Sequence, residues 1–375
     1  MITISLCMIV KNEEEVLRQC LSSVAPAINE IIIVDTGSTD GTKQIAKEFK
    51  ARIFDFEWVD DFAKARQYAF DQATSDYILW LDADDQLSEI DMRKLIKLKR
   101  ELPVEVDAVS MLYHISFDAA GTPNFTYRRN RLVKRERGFR WIGAVHEYLE
   151  VGGNILASDI AVRHMKSTKQ KLLPSTRRNL EIYERRKAKG EEFNPRDLFY
   201  YANELKDHGD FGSAVVYYDK FLETRKGWVE DEIRACLNLY DCQNALGRPE
   251  LAFAALLRTM NYDVPRPEAS CKIGDTFKGK ARYREAAFWY RLAFEVNVQD
   301  SQGFVLPHYS TWYPHLQLVV CCWELGDQRQ AIYHNDKAGE YLPDSPQVKH
   351  NRDFFDVFFK DKPSPTLDQP EPTRL

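Results

Sequence analysis

Residues 30–42, EIIIVDTGSTDGT, join a strand to a polar turn and decide the fold of the N-terminal half of the chain. The run EIIIVD is nearly all apolar and β-branched, as expected for a strand that is buried on both faces of a sheet. Gly, Ser, Thr and Asp dominate the turn, and a helical pattern follows from Thr42 to Phe49. The stretch therefore predicts a strand–turn–helix unit whose strand ends in Asp35.

Similar units lie on both sides of this stretch. Apolar patterns predict further strands at 2–10, 52–56 and 77–81, and helices at 14–24 and 62–73. Alternating strands and helices indicate an α/β fold with a mostly parallel sheet that helices cover on both faces. In such sheets, ligands bind beyond the carboxyl ends of the strands.

Polar clusters follow three of the predicted strands and indicate one shared crevice. They are KNE at 11–13, DTGSTDGT at 35–42 and DADD at 82–85. Asp82 and Asp84 can both reach a hard cation such as Mg²⁺ or Mn²⁺, which prefers oxygen ligands and leaves positions free for phosphate. Asp84 is our first choice of ligand and Asp82 the second. The alternative is that these residues form solvated turns and helix caps.

Residues 1–90 resemble family 2 glycosyltransferases with the GT-A fold. The similar segments are SLCMIVKNEE, IIIVDTGSTDGT, FAKARQYA and WLDADD, in this order. The resemblance implies a Rossmann-like α/β domain and an inverting enzyme. It further implies a divalent Mn²⁺ or Mg²⁺ cofactor and a nucleoside diphosphate sugar as donor, by family habit a UDP-sugar.

The resemblance also implies roles for individual residues. Asp35 corresponds to the residue that contacts the nucleobase, and Asn12 and Glu13 correspond to residues that border the ribose. Asp82 corresponds to a ribose or metal contact, and Asp84 to the metal ligand at the diphosphate. The implied nucleotide-sugar-binding residues are Lys11, Asn12, Glu13, Asp35, Ser38, Arg66 and Asp82.

A catalytic base is expected later in the same domain. The sugar carbon becomes oxocarbenium-like during transfer, so a carboxylate on its opposite side must activate the acceptor. The segment 141–147, WIGAVHE, resembles a W-x-G-x-V-H-E block found in a subset of the family, and Glu147 is its candidate base. The alternative is a structural His–Glu pair. His164 is a candidate third metal ligand, with a core histidine as the alternative.

Basic and aromatic residues near this block are candidates for binding the acceptor or the diphosphate. Residues 127–140 carry seven Arg or Lys residues. Arg131, Trp141 and His146 are the candidates for contacting the acceptor or the diphosphate. The alternative is that this basic pattern belongs to a solvated hairpin. Arg66 is expected to face the acidic crevice, with a helix-surface ion pair as the alternative.

The C-terminal half contains a recurring helical phrase. Four phrases align on Ala214, Ala252, Ala286 and Ala331, and the middle two alanines are 34 residues apart, the tetratricopeptide period. The phrases resemble tetratricopeptide repeats, whose stacked helix pairs bury a continuous core and leave a concave face. That face is expected to bind an extended peptide or another subunit; the alternative is an all-α domain that stiffens the enzyme.

The expected organisation has four segments. They are a GT-A domain at 1–166, a linking helix at 167–193, tetratricopeptide-like repeats at 194–360 and a disordered tail at 361–375. An insertion between two repeats is expected to include residues 303–314.

Composition and simple sequence patterns argue against several classes of protein. A net charge of −5 over 375 residues argues against a nucleic-acid coat protein. No apolar run approaches the ~18 residues of a membrane span. The seven cysteines lack metal-site spacing and the N-terminus lacks a secretory signal pattern, so we expect buried thiols and a cytoplasmic protein.

The leading hypothesis is transfer of a sugar to a Ser/Thr hydroxyl or a Cys thiol of a peptide or protein. A GT-A domain followed by tetratricopeptide-like helices resembles bacterial peptide S-glycosyltransferases of the sublancin type. One alternative is transfer to lipopolysaccharide core or cell-wall glycan, whose enzymes have similar W-x-G-x-V-H-E sequences. Another alternative is a non-catalytic scaffold. A homodimer is left open.

Overall fold

The computed structural model describes residues 1–117, 123–165, 177–295 and 306–360. The chain divides into two compact units, residues 1–191 and residues 192–375. Within the described ranges, no helix is long and apolar enough to cross a membrane.

Strands of the first unit form one large sheet and one small hairpin. Their bounds are β1 Ile4–Val10, β2 Glu30–Asp35, β3 Arg52–Asp55, β4 Tyr77–Trp80, β5 Asp85–Leu87, β6 Ala108–Phe117, β7 Pro123–Lys134, β8 Arg140–Ile142, β9 Tyr148–Glu150 and β10 Ile155–His164. The eight-stranded sheet has the order β3-β2-β1-β4-β7-β6-β10-β5, and β8 pairs with β9.

The first four strands of the large sheet are parallel, as the sequence predicts. Strand β1 pairs in parallel with β2 and with β4, and β2 pairs in parallel with β3. Strand β7 then runs antiparallel to both β4 and β6, while β10 runs parallel to β6. The carboxyl ends of β1, β2 and β4 therefore lie at one edge of the sheet.

Five α-helices lie in the described residues of the first unit. They are α1 Leu17–Val24, α2 Thr42–Glu48, α3 Phe62–Asp71, α4 Glu89–Glu101 and α5 Arg178–Ala188. Helix α1 begins at Leu17 rather than at the predicted residue 14. Asn12 has a φ of 57°, and the Glu13 N–H donates to Thr42 Oγ1 at 2.7 Å, so these residues form a loop that bonds to the next turn.

The core of this unit lies on both faces of the parallel strands. Leu6 and Met8 of β1 pack with Leu17 and Leu21 of α1 on one face. Cys7, the residue between them, packs on the other face, in a cluster with helix α3. Burial of both faces explains why the strands are nearly continuous apolar runs.

The second unit consists of helix pairs. Its helices are α6 Pro195–Asp207, α7 Phe211–Thr224, α8 Val229–Ala245, α9 Pro249–Arg258, α10 Pro267–Lys278, α11 Tyr283–Glu295, α12 Trp312–Glu324, α13 Gln328–Tyr341 and α14 Pro346–Phe359. Each even-numbered helix from α6 to α12 packs against the next helix. The four aligned alanines lie in the second helices of these pairs and are buried, as tetratricopeptide-like packing requires.

Several predictions concern segments near the unit boundary and the chain end. The predicted linking helix contains α5, which belongs to the first unit because the division falls after Glu191. Residues 167–176 of that segment, 303–305 of the predicted insertion and the tail 361–375 lie outside the described residues. All seven cysteines are buried and free.

Candidate active site

A crevice of about 490 Å³ opens at the carboxyl edge of the parallel strands. It is lined by residues of β1, α3, β7, β10 and α5, and by the loops that follow β1, β2, β3 and β4 and precede β9, so segments far apart in the chain meet there. Its charged lining residues are Lys11, Glu13, Arg66, Asp82, Asp84, Arg129, Glu147 and Arg178. The crevice therefore contains both the acidic motif after β4 and the candidate base.

A three-residue cluster at this edge is suited to a metal ion. Asp84, Asp85 and His164 each offer a ligand atom, and these atoms lie within 4.8 Å of one another. Strand pairing places His164 opposite Asp85, and the Met165 N–H donates to the Asp84 carbonyl at 2.7 Å. Asp85 Oδ1 is buried without a hydrogen-bond partner among the described residues. This donor set fits Mn²⁺ or Mg²⁺.

Negative charge is concentrated around this cluster. A hydrogen bond to Asp84 raises the pKa of His164 above its usual value, against the opposing effect of burial. Burial raises the pKa of Asp85 to about 6, although the positive charge of Arg131 opposes this shift. Burial, together with the charge of Asp84, raises the pKa of Glu13 to about 7. A cation at this place would relieve the repulsion.

Arg66 joins the acidic motif to the candidate base. Its Nη2 donates to Asp82 Oδ1 and its Nε donates to Glu147 Oε1, both at 2.6 Å. The guanidinium lies over the rings of Trp80 and Trp141, at 5.3 and 5.0 Å. Burial acts to raise the pKa of Asp82, but the charge of Arg66 holds it well below its usual range. Both carboxylates are therefore held in place by one arginine.

Arg131 and Trp141 support the site from beneath. Arg131 is fully buried, its Nη2 lies 3.0 Å from Asp85 Oδ2, and its guanidinium is 4.0 Å from the Trp80 ring. Trp141 is buried against Trp80, with ring centroids 4.8 Å apart. Neither side chain lines the crevice, so neither is placed to contact an acceptor or a diphosphate. Arg129 of the same strand lines it instead.

Hydrogen bonds connect the loops after β1 and β2. Asp35 Oδ1 accepts from the N–H groups of Gly37 and Ser38, at 2.9 and 2.8 Å, and Gly37 has a φ of 104°. Ser38 Oγ accepts from the Asn12 N–H at 2.9 Å. Asp35 Oδ2 is buried without a partner among the described residues. Lys11 and Glu13 line the crevice, whereas Asn12, Asp35 and Ser38 shape the loops beside it.

The loop before β9 presents His146 and Glu147 to the crevice. The Phe62 N–H, at the start of α3, donates to the Ala144 carbonyl at 2.8 Å and fixes this loop. His146 has a φ of 52°, a strained conformation for a residue with a side chain. Backbone strain of this kind is common at functional sites.

The structure adds lining residues that the sequence did not indicate. Trp58 and Phe62 form an aromatic wall, with ring centroids 4.8 Å apart, and Arg178 and Asn179 come from α5. Asp85 could have been found from the DADD motif, because it directly follows Asp84. No sequence signal connects Arg178 to the strand ends.

The curled α/β sheet, the acidic motif after β4 and the His–Glu loop together define a glycosyltransferase domain of the GT-A class. The model of the family Glycosyl transferase family 2 matches residues 5–156, so this part of the chain is a family 2 glycosyltransferase domain. Tetratricopeptide-like repeats follow it.

Curated relatives match different portions of the chain. Glycosyltransferase SunS of Bacillus subtilis is 29% identical over 233 residues, 60% of this chain and 54% of SunS. A TPR repeat-containing protein of Synechococcus elongatus is 49% identical over 87 residues, 23% of this chain and 22% of that protein. The lipopolysaccharide core biosynthesis glycosyltransferase LpsC of Rhizobium meliloti is 32% identical over 161 residues, 38% of this chain and 56% of LpsC. The chain thus spans about half the length of SunS and of LpsC.

Proposed function

We propose that this protein is an inverting, metal-dependent glycosyltransferase that moves a sugar from a nucleoside diphosphate sugar, UDP-linked by family habit, to a peptide or protein side chain. One observation carries the proposal. Asp84 and His164 of the metal cluster line the same crevice as Glu147, and Asp85, the third member, has a buried carboxylate oxygen without a hydrogen-bond partner among the described residues. A cation site and a carboxylate in one crevice are what this reaction requires.

The metal site supports charge stabilisation at the donor. Asp84 and His164 would hold Mn²⁺ or Mg²⁺, with Asp85 completing the cluster, and the ion would stabilise negative charge on the departing diphosphate. Asp82 is held by Arg66 and is proposed to orient the donor beside the cluster. Asp35, with its unpartnered Oδ2, is proposed to accept a hydrogen bond from the nucleobase.

Glu147 is proposed to be the catalytic base. An acceptor oxygen or sulfur forms a bond to the anomeric carbon, the carbon–oxygen bond to the diphosphate breaks with its electrons, and the acceptor proton passes to Glu147. The ion pair with Arg66 holds Glu147 at the crevice. A Cys thiol needs less help from a base than a hydroxyl does, because the thiol loses its proton far more readily.

The peptide acceptor is supported by the repeats and by the similarity to SunS. Stacked helix pairs provide extended surfaces that bind peptides. The similarity to LpsC favours lipopolysaccharide core as a second acceptor class. Seven buried free cysteines suit a reducing compartment, so we place the proposed reaction in the cytoplasm.

A two-step assay tests the proposal. A thermal-shift screen of nucleotide sugars with and without Mn²⁺ should identify a donor whose stabilising effect requires the metal. Mass spectrometry should then detect the sugar mass on peptides encoded beside the gene, and not on lipopolysaccharide core. Donor binding that is equally tight in a metal chelator would contradict the metal site. Transfer to lipopolysaccharide core alone would contradict the peptide acceptor.

A further inference from the structure

Arg178 is a crevice-lining cation that lies outside residues 5–156, the range of the family match. Its guanidinium carbon lies 4.8 Å from the centroid of the Phe62 ring. Among the described residues, the guanidinium makes no recorded hydrogen bond or ion pair. Within this part of the chain, its N–H groups are therefore available to a ligand of the crevice.

The other arginines at the site are engaged by protein groups. Arg66 binds Asp82 and Glu147. Arg131 is paired with Asp85, and Arg129 Nε donates to the Tyr127 hydroxyl at 3.0 Å. Arg66 and Arg131 are thus paired with carboxylates and Arg129 donates to a hydroxyl, whereas Arg178 has neither an ion pair nor a hydrogen bond among the described residues, which favours it for binding an added anion.

Asp60 fixes the helix that carries Arg178. Arg185, two helical turns further along α5, donates from Nε and Nη2 to the two carboxylate oxygens of Asp60, at 2.7 and 2.8 Å. The Trp58 indole N–H donates to Asp60 Oδ1 at 2.9 Å. Asp60 itself has a φ of 59°, which costs energy in a residue with a side chain. The strained aspartate thus connects α5 to the aromatic wall of the crevice.

The charge of Arg178 reaches Glu13, a crevice residue that the charge of Asp84 in the metal cluster also affects. The charge of Arg178 acts to lower the pKa of Glu13, while burial and Asp84 raise it. Phe62, which supports Arg178, also bonds through its N–H to the loop that carries Glu147. An anion held between the metal cluster and Glu147 would therefore be within the field of Arg178.

We propose that Arg178 binds the diphosphate of the nucleotide-sugar donor, and that Asp60 is a positioning residue that acts through Arg185. This inference rests on the proposed function. A guanidinium group offers paired N–H donors that match phosphate oxygens. It also stabilises the charge that the diphosphate gains as the sugar–phosphate bond breaks.

Binding of pyrophosphate with Mn²⁺, measured by calorimetry on the full chain, tests Arg178 without depending on the base or the sugar. Arg178→Ala should weaken pyrophosphate binding by about tenfold to a hundredfold, the range for losing hydrogen bonds to a charged group. Arg177→Ala is the matched control, because Arg177 is an exposed neighbour that does not line the crevice, and it should bind like the wild type.

Three outcomes would overturn the inference. Equal pyrophosphate affinity in Arg178→Ala and the wild type would remove the diphosphate contact while leaving the proposed function intact. An equal loss in Arg177→Ala would show a general charge effect. A wild-type protein that binds no pyrophosphate in the presence of Mn²⁺ would overturn the proposed function as well.

The role of Asp60 is tested by a double-mutant cycle. Asp60→Asn should weaken pyrophosphate binding less than Arg178→Ala does, and should leave the affinity for Mn²⁺ alone unchanged. Adding Asp60→Asn to Arg178→Ala should cause no further loss, because the bond from Arg185 to Asp60 affects the ligand only through the position of Arg178. Additive losses, or a weaker affinity for Mn²⁺ alone, would show that Asp60 has a merely structural role.

Discussion

Carboxylates in the crevice and in the helical repeats are satisfied in different ways. In the repeats, the two oxygens of Asp275 accept from the hydroxyls of Tyr290 and Tyr313, at 2.7 and 2.8 Å. In the first unit, Asp85 Oδ1 and Asp35 Oδ2 are buried without hydrogen-bond partners among the described residues. Both of these belong to the strand ends that border the crevice.

This difference separates a structural carboxylate from one that awaits a ligand. Leaving a buried acceptor without a hydrogen bond costs free energy, so proteins satisfy nearly all of them. Asp275 meets that requirement with two tyrosines from its own unit. Asp85 and Asp35 each keep one buried oxygen without a hydrogen bond among the described residues, which is unfavourable in the protein alone. The proposed metal ion and nucleobase would supply the missing partners.

Among the substitutions that test this difference between the two regions, replacement of Asp84 should cause the largest loss of sugar transfer. Asp84→Asn should lower Mn²⁺-dependent sugar transfer by ~10³-fold, because the departing diphosphate loses its stabilising ion. Steady-state turnover across a Mn²⁺ titration measures the loss. Asp275→Asn is the control in the repeats and should leave donor turnover unchanged. Wild-type turnover in Asp84→Asn would remove Asp84 from the metal site.

Replacing Glu147 should lower turnover less than replacing Asp84. Glu147→Gln should lower kcat by ~10²-fold with little change in the KM for donor, because it removes a proton acceptor and keeps the side-chain shape. An unchanged kcat, together with a large loss in His146→Asn, would assign the base to His146.

Replacing a glycine of the repeats should change stability without changing the chemistry. A Cβ on Gly274 would lie 2.7 Å from the buried Tyr290 ring, so Gly274→Ala should lower the free energy of unfolding by about 1–3 kcal/mol. Gly212→Ala is the matched helical control, because its nearest contact is 3.9 Å away, and it should not destabilise. Chemical denaturation measures both. An equal loss in the two variants would refute the packing argument.

Local sequence patterns predicted the first four strands, the first three helices and the helical repeats. Continuous apolar runs located β1, β2 and β4, because both faces of these strands are buried. The aligned alanines located the repeats, because a small side chain allows close approach of two helices. The antiparallel insertion of β7 between β4 and β6 was not predicted, since strand order depends on tertiary packing rather than on local pattern.

The sequence identified candidate site residues, but it did not indicate which residues they contact. It placed Arg131 among ligand-binding candidates, but its burial beside Asp85 follows from the pairing of β7 with its neighbours. It could not indicate that Arg66 would bind both Asp82 and Glu147, because these residues are far apart in the chain. Arg178 was missed for the same reason.

The smallest expected effect is a pH dependence of metal binding at the crevice. His164 must be neutral to bind a metal, and its pKa lies above the usual value of about 6.5 because Asp84 bonds to it. Protons therefore compete with Mn²⁺ below that pKa, and affinity should rise with pH and then level off. At pH 6 the affinity should lie clearly below its limit. Calorimetric titrations from pH 6 to 8 measure this, and His164→Gln should remove most of the pH dependence and leave the part due to Asp85, whose pKa burial raises to about 6. PH-independent Mn²⁺ binding by the wild type would place the ion away from His164.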